Sequence, residues 1–281
     1  MKAQKTENGI TVLQADCFNP RDILECGQIF RFDRDGEGNY RVFSLDKYAE
    51  IKKTNDGYFI STDSPDYFYD FFDLDRDYGV ICEKLSSSYD VMKRAVEFGR
   101  GIRILRQNLE EMIFSFIISA NNNIKRITGI VDRLCILAGE KHEGTTEYYS
   151  FPAPEAIAEL TVEQLTAIGS GYRAPYIKDS AKMIADGYEL ETLRNVPTAA
   201  ARKELLRFPG VGPKVADCVL LFSLGHADAF PLDVWMKRAM RLMYFQGAEP
   251  GKKAMEDQIA ALGPNSGILQ QYIFQYAREN M

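Results

Sequence analysis

The sequence predicts an α+β protein: an antiparallel sheet domain over residues 1–98, then a larger all-helical domain over residues 99–281. Three observations predict it. Short β-branched and aromatic runs separated by glycine-containing turns occupy the first part of the chain. After Asp90 the apolar spacing becomes three and four residues, as on the buried stripe of a helix. No internal repeat or low-complexity linker breaks this order.

In the first part, Ile10 to Leu13, Ile29 to Phe32, Tyr40 to Phe43 and Tyr58 to Ile60 read as strands. Asp35-Gly36-Glu37-Gly38 and Asn55-Asp56-Gly57 supply the turn chemistry of hairpins between them. In the second part, Met112, Ile113, Phe116 and Ile117 mark one buried helix face, and Ile127, Ile130, Val131, Leu134 and Cys135 mark another. Helical patterns continue almost to the end, punctuated by Gly169 to Gly171, Pro197, Pro209 to Pro213, Pro231 and Gly263-Pro264.

Composition narrows the function. With 46% hydrophobic and 26% charged residues, the 281-residue chain can bury a real core. No apolar run approaches the ~18 residues of a membrane span, and the polar first nine residues carry no secretory pattern. Cys17, Cys26, Cys82, Cys135 and Cys218 include no C-x-x-C pair, so reduced thiols in a cytoplasm are expected rather than disulfides or structural zinc. His142 and His226 are the only histidines, which removes most metal-hydrolase and Ser-His schemes. The net charge of −6 is confined to Ser61 to Asp90, with eight acids against two bases; the rest balances at 32 of each sign. Between Ala201 and Arg241 seven bases face four acids, a local surplus that permits a phosphate-rich partner.

The most informative stretch is Leu205-Leu206-Arg207-Phe208-Pro209-Gly210-Val211-Gly212-Pro213-Lys214-Val215-Ala216-Asp217-Cys218. It reads as a helix end, a tight turn through Gly210 and Gly212, and a second helix with Pro213 near its first position, the whole motif spanning about 203–224. The N–H groups of Gly210, Val211 and Gly212, at a helix N-terminus, suit an anion such as a DNA phosphate. A bare G-x-G is more often an ordinary helical corner; the extended pattern around it carries the functional reading. Lys214, in the first helical turn, is a solvated charge, a phosphate contact, or an amine made nucleophilic by partial desolvation. Asp233, in Phe230-Pro231-Leu232-Asp233-Val234-Trp235, reads alone as a helix N-cap worth about 1 kcal/mol.

The combination resembles the helix-hairpin-helix DNA glycosylases, and within them the 8-oxoguanine DNA glycosylases of the eukaryotic type. Ser119-Ala120-Asn121-Asn122-Asn123-Ile124-Lys125-Arg126 looks like the family's triple-asparagine motif, and Gly169-Ser170-Gly171-Tyr172-Arg173-Ala174 like its G-x-G-Y-R-A segment. Cys26-Gly27-Gln28-Ile29-Phe30-Arg31 resembles its G-Q-x-F-R-W motif, and Gln270 to Phe274 its Q-x-x-x-F. The motifs run in family order over almost the whole chain. Two positions depart from the family: Trp235 stands where the eukaryotic enzymes carry a phosphate-contacting histidine, and no cysteine follows Cys218, unlike relatives that end in an iron–sulfur cluster.

The resemblance implies a bifunctional glycosylase and lyase acting on double-stranded DNA that contains 8-oxoguanine, without metal or cofactor. Lys214 would attack C1′ of the flipped nucleotide and Asp233 would stabilise the cationic sugar. The Gly27 carbonyl would accept the N7–H that distinguishes 8-oxoguanine from guanine; otherwise Gly27 is a turn glycine. Phe274 and Cys218 would cover the two faces of the base and Gln270 would read its Watson–Crick edge, against plain core roles for all three. Asn121, Arg126 and Arg173 would meet the stranded cytosine with Tyr172 as wedge, unless the arginines only touch phosphates. Lys203 or Arg207 would help anchor the backbone. Monofunctional relatives lack a lysine at the position of Lys214, and a non-catalytic DNA-binding module would need neither Lys214 nor Asp233. A monomer in the cytoplasm of a bacterial or archaeal cell, at the nucleoid and needing no protein or membrane partner, is the expectation.

Overall fold

The computed structural model describes residues 1–86, 90–144 and 146–280. Strands β1 (Lys2–Thr6), β2 (Gly9–Leu13), β3 (Phe32–Arg34), β4 (Tyr40–Ser44), β5 (Lys47–Thr54) and β6 (Gly57–Ser61) form one antiparallel sheet in the order β1-β2-β6-β5-β4-β3. A short ribbon pairs β7 (Lys141–His142) with β8 (Tyr148–Tyr149). The helices are α1 (Pro20–Leu24), α2 (Pro65–Phe71), α3 (Tyr78–Ser86), α4 (Asp90–Phe98), α5 (Leu109–Ser119), α6 (Ile124–Ala138) and α7 (Pro154–Glu159). They continue with α8 (Val162–Leu165), α9 (Ala174–Ala185), α10 (Thr198–Leu205), α11 (Pro213–Phe222), α12 (Val234–Tyr244), α13 (Lys252–Ala261) and α14 (Ser266–Asn280). The α+β class read from the sequence is the architecture observed.

The differences lie in the first 86 residues and in the β7–β8 ribbon. That ribbon is a two-stranded exception within the region read as all-helical, where His142 and Tyr148 stack across the pair. Ile29, Phe30 and Arg31 are not a strand: Ile29 enters the sheet's core while Phe30 enters the helical core, so the segment threads between the two. The aromatic-rich stretch from Pro65 is helical, because Phe68, Phe71 and Phe72 share one face that packs under the sheet while Asp66 and Asp70 face out. Each such buried phenyl contributes about 1.5–3 kcal/mol. β1 lies within the polar first nine residues, where the sequence shows no strand pattern. It is an edge strand whose register, Thr6 opposite Gly9 and Lys2 opposite Leu13, turns through Glu7-Asn8, and its lysines suit an unpaired edge. β5 also escaped the pattern; only Ala49 and Ile51 of its eight residues are fully buried.

One core joins Ile10, Val12, Val42, Ile51 and Ile60 to the α2 phenyl groups. The second is helical, runs around α5 and α11, and includes buried side chains of α3 and α4. α5 is buried along nearly its whole length, which explains why it is apolar all round. Buried Glu111 on α5 pairs with Arg31 at 3.5 Å and accepts from the Leu45 N–H at 2.9 Å, tying the cores together. The loop carrying Gly27 runs between the two cores, and Lys214 rests against Phe116 of α5.

Candidate active site

α10 and α11 form the predicted hairpin. Val211 N–H donates to the Phe208 carbonyl at 3.0 Å, and Ser180 Oγ on α9 donates to Pro209 O at 3.0 Å, fixing the turn. Gly210 has φ +81°, and a Cβ there would stand 2.8 Å from Tyr176 Cβ, so no other residue fits. Val211 was expected to offer its N–H to a phosphate, but that donor closes the turn. Pro213 at the first helical position has none. The N–H groups of Gly210 and Gly212 make no backbone bond within the turn among the described residues. Those of Lys214 and Val215 at the head of α11, which the glycine motif did not suggest, stand beside them.

Lys214 is half-buried, with its ammonium 4.9 Å from the centroid of the Phe116 ring on α5. It forms no ion pair with a carboxylate among the described residues. Cys218, one turn further along α11, is buried; burial pushes its thiol up to about 11, against the pull of Lys214, while Asp233 adds to the rise. At neutral pH this sulfur is a neutral thiol, and Lys214 lies one turn before it on the same face of α11. Asp233 is the N-cap of α12, its Oδ1 accepting from Met236 N–H at 2.7 Å. The capping role read from the sequence is therefore real, and Oδ2 keeps no partner among the described residues.

Gly27 faces Phe274, and Gln270 lies one turn before Phe274 on α14. Gly27 has φ +87°, and a Cβ there would meet Ile124 Cδ1 at 3.6 Å and Phe274 Cε1 at 3.9 Å. Its neighbours are strapped on both sides: Gln271 Nε2 on α14 donates to Cys26 O at 2.9 Å, and Gln107 Nε2 donates to Gln28 O at 2.7 Å. The Gln28 amide in turn binds Ile23 O, Arg103 O and Leu105 N–H, at 2.8–2.9 Å. Gln270 is buried and donates to Pro231 O at 3.2 Å, while its Oε1 is buried without a partner. Such an acceptor costs about 1–3 kcal/mol until a ligand donor reaches it. Sequence reasoning missed Phe116, Ile124, Gln107 and Gln271, none of which carries a signal of its own beyond apolarity or motif adjacency.

The second set of predicted residues sits where α6 begins and the loop before α9 docks on it. Asn121 is exposed at φ +49°. Arg126 is exposed and reaches Gly169 O at 3.3 Å. Tyr172 is 58% exposed, with the Arg173 guanidinium 4.3 Å from its ring centroid. Arg173 differs from the expectation of a free fork. It is only 3% exposed, and its donors go to Ala120 O at 2.9 Å, Ser170 O at 3.3 Å and Asn121 O at 3.0 Å. It braces Tyr172 and the Asn121 loop from behind. Trp235 is 49% exposed beside Asp233. Lys203 is exposed, and Arg207 is tied to Glu204 at 2.7 Å.

No described helix is long and apolar enough to cross a membrane. The N-terminal domain family of 8-oxoguanine DNA glycosylases matches residues 10–113, and the helix-hairpin-helix superfamily of base-excision DNA repair proteins matches residues 114–265. The 8-oxoguanine glycosylase/lyase of Clostridium acetobutylicum, solved with double-stranded DNA holding cytosine opposite 8-oxoguanine, superposes with TM-score 0.93 at 37% identity, covering 100% of this chain and 98% of that one. A probable N-glycosylase/DNA lyase of Methanothermobacter thermautotrophicus is 28% identical over 76% of this chain and 74% of its own. The N-glycosylase/DNA lyase of Arabidopsis thaliana is 38% identical over 52% of this chain and 44% of its own, so less than half of the plant protein is matched.

Proposed function

The chain belongs to the helix-hairpin-helix superfamily of base-excision DNA repair proteins, within its 8-oxoguanine DNA glycosylase/lyases, and we propose that it excises 8-oxoguanine through a Schiff base on Lys214, preferentially opposite cytosine. The observation that carries this reading is Lys214 itself, half-buried against Phe116 without a carboxylate partner among the described residues and one turn from the neutral Cys218 thiol. Gly210, Gly212, Lys214 and Val215 N–H groups hold a backbone phosphate beside the lesion, and the target nucleotide leaves the duplex at a cost of a few kcal/mol. The Lys214 amine, neutral when it reacts, forms a bond to C1′ as the bond to the base breaks, and the base leaves with that electron pair and gains a proton. Asp233 offers its unpartnered Oδ2 to the positive charge on the sugar. The ammonium so formed loses one of its two protons, and the nitrogen lone pair then opens the sugar ring to a protonated imine as O4′ takes up a proton. Loss of a C2′ proton expels the 3′ phosphate, which is the lyase step.

The pocket assigns a task to each neighbour. The strapped Gly27 carbonyl accepts N7–H of 8-oxoguanine, whereas guanine would set two acceptors against each other. Phe274 stacks on one face and the Cys218 thiol covers the other. Gln270 Oε1 gains its missing donor from the N1–H and N2–H edge. Across the gap, Tyr172 is the wedge, Arg126 supplies donors to N3 and O2 of cytosine, and Asn121 offers both a donor and an acceptor. Arg173 joins them only by exchanging its carbonyl bonds for the base.

A duplex with one 8-oxoguanine opposite cytosine, incubated with borohydride, tests the chemistry. The wild type should yield a covalent adduct, and Lys214→Gln should bind the duplex but release almost no base. Cleavage by Lys214→Gln at the wild-type rate, or no adduct with the wild type, refutes the mechanism.

A further inference from the structure

Asp217 lies on α11, three residues beyond Lys214, and the chemistry above gives this buried carboxylate no task. Its Oδ1 accepts from Arg202 Nε on α10 at 2.6 Å, so the pair joins the two helices of the hairpin. Asp217, Arg202 and Lys214 line a cavity of about 1240 Å³ that also meets α13. None of Gly27, Cys218, Gln270 or Phe274 lines that cavity. Lys214 thus borders this cavity while its ammonium lies over the Phe116 ring.

Residues three apart on a helix are neighbours on its surface, so an unpaired carboxylate at Asp217 would draw the Lys214 ammonium backward. We propose that Asp217 is a positioning residue for the attacking amine: paired with Arg202, it holds the first turn of α11 against α10 with its charge neutralised, leaving Lys214 aimed at Phe116 and the sugar. This role rests on Lys214 being the nucleophile. The other charged groups facing the cavity are Asp228 ahead of α12, Lys237 on α12, Glu249, and Lys252 with Glu256 on α13. Asp228 accepts from Thr198 Oγ1 at 2.6 Å, and that hydroxyl also meets His226 Nδ1 at 3.0 Å. Among the described residues, Arg202 alone makes a side-chain bond to Asp217.

Burial raises the Asp217 carboxyl to about 6 against the pull of Arg202, with Asp228 adding to the rise. The ion pair is complete above that pH and is lost below it. A carboxyl that holds its proton more tightly folded than unfolded favours the folded chain at low pH, and this advantage disappears as pH rises through about 6. Asp217→Asn, which mimics the protonated form, should therefore not lower the melting temperature at neutral pH.

The test measures single-turnover base release and borohydride trapping from about pH 5 to pH 8, with melting temperatures and affinity for an abasic-site duplex. The wild type should slow below about pH 6. Asp217→Asn should be about tenfold slower at neutral pH, the scale of a small misplacement of the nucleophile, with no acid limb and unchanged affinity. Arg202→Gln has no ion pair at any pH, so it should be slow throughout, without the acid limb, and slower still as the unpaired Asp217 carboxylate ionises and draws Lys214 backward. An unchanged pH profile in both variants overturns the proposal, as does a uniform loss with a lowered melting temperature in Asp217→Asn. Absence of a wild-type adduct overturns the lysine reading and this role with it, whereas a normal adduct with unshifted limbs overturns this role alone.

Discussion

Gly27→Ala separates reading of the lesion from chemistry on the sugar. At φ +87° an alanine occupies the left-handed region, at a cost of about 1–3 kcal/mol. Its methyl would stand 3.6 Å from Ile124 Cδ1 and 3.9 Å from Phe274 Cε1, ordinary contact distances, so backbone strain sets the stability loss and collision does not. The melting temperature should fall by roughly 2–12 °C for a chain of this size. The loss of excision should be larger. The methyl narrows the space between the Gly27 backbone and the Phe274 ring, so a flat base loses the carbonyl bond, about 1–3 kcal/mol, and part of its stacking, about 1–3 kcal/mol. Together these correspond to a rate loss on the order of 10² or more. A preformed abasic site needs neither contact. The assay compares single-turnover release of 8-oxoguanine with cleavage of an abasic duplex, for wild type and Gly27→Ala, below both melting temperatures. Excision should fall on the order of 10²-fold while abasic cleavage stays within about threefold. Equal losses on the two substrates would show that strain alone acts, and wild-type excision would remove Gly27 from lesion reading.

Asp233→Asn keeps an acceptor for the Met236 N–H and removes the charge, so the melting temperature should barely change while base release falls on the order of 10²-fold or more; a loss of activity that tracks unfolding would leave Asp233 a cap only. Arg126→Ala should relax the preference for cytosine over adenine opposite the lesion by about 1–3 kcal/mol with little effect on stability. Arg173→Ala should relax it too but also lower the melting temperature, since the Ala120, Ser170 and Asn121 carbonyls lose their donor. A uniform loss across all four opposite bases, with a shallower salt dependence, would show that the arginines contact phosphates instead.

The hairpin was legible because its chemistry is local. Gly210, Gly212 and Pro213 impose a turn and a helix start on whatever surrounds them, and the stripes of α5 and α6 need only a period. The strand pattern failed where side chains serve two cores at once, as Ile29 and Phe30 do. It failed again where aromatic residues that favour strands are bent into a helix begun by Pro65. At the site, residue type pointed to Lys214, Asp233 and Gln270, but long-range contacts decide how each is used. Phe116 lies against Lys214, Pro231 takes one end of the Gln270 amide, and Gln107 and Gln271 clamp the loop around Gly27. Arg173 shows the limit most clearly: beside an exposed tyrosine it reads as a surface fork, yet it is the donor for three loop carbonyls. Likewise, the hairpin motif marks an anion site but cannot say which N–H groups remain after the turn is closed, and Val211 is excluded only by its bond to Phe208. Variants of motif residues therefore interrogate the bond-breaking step. Variants of Gln107, Phe116 or Asp217 interrogate how the reacting groups are aimed, and their effects should appear in base release while affinity for abasic DNA is preserved.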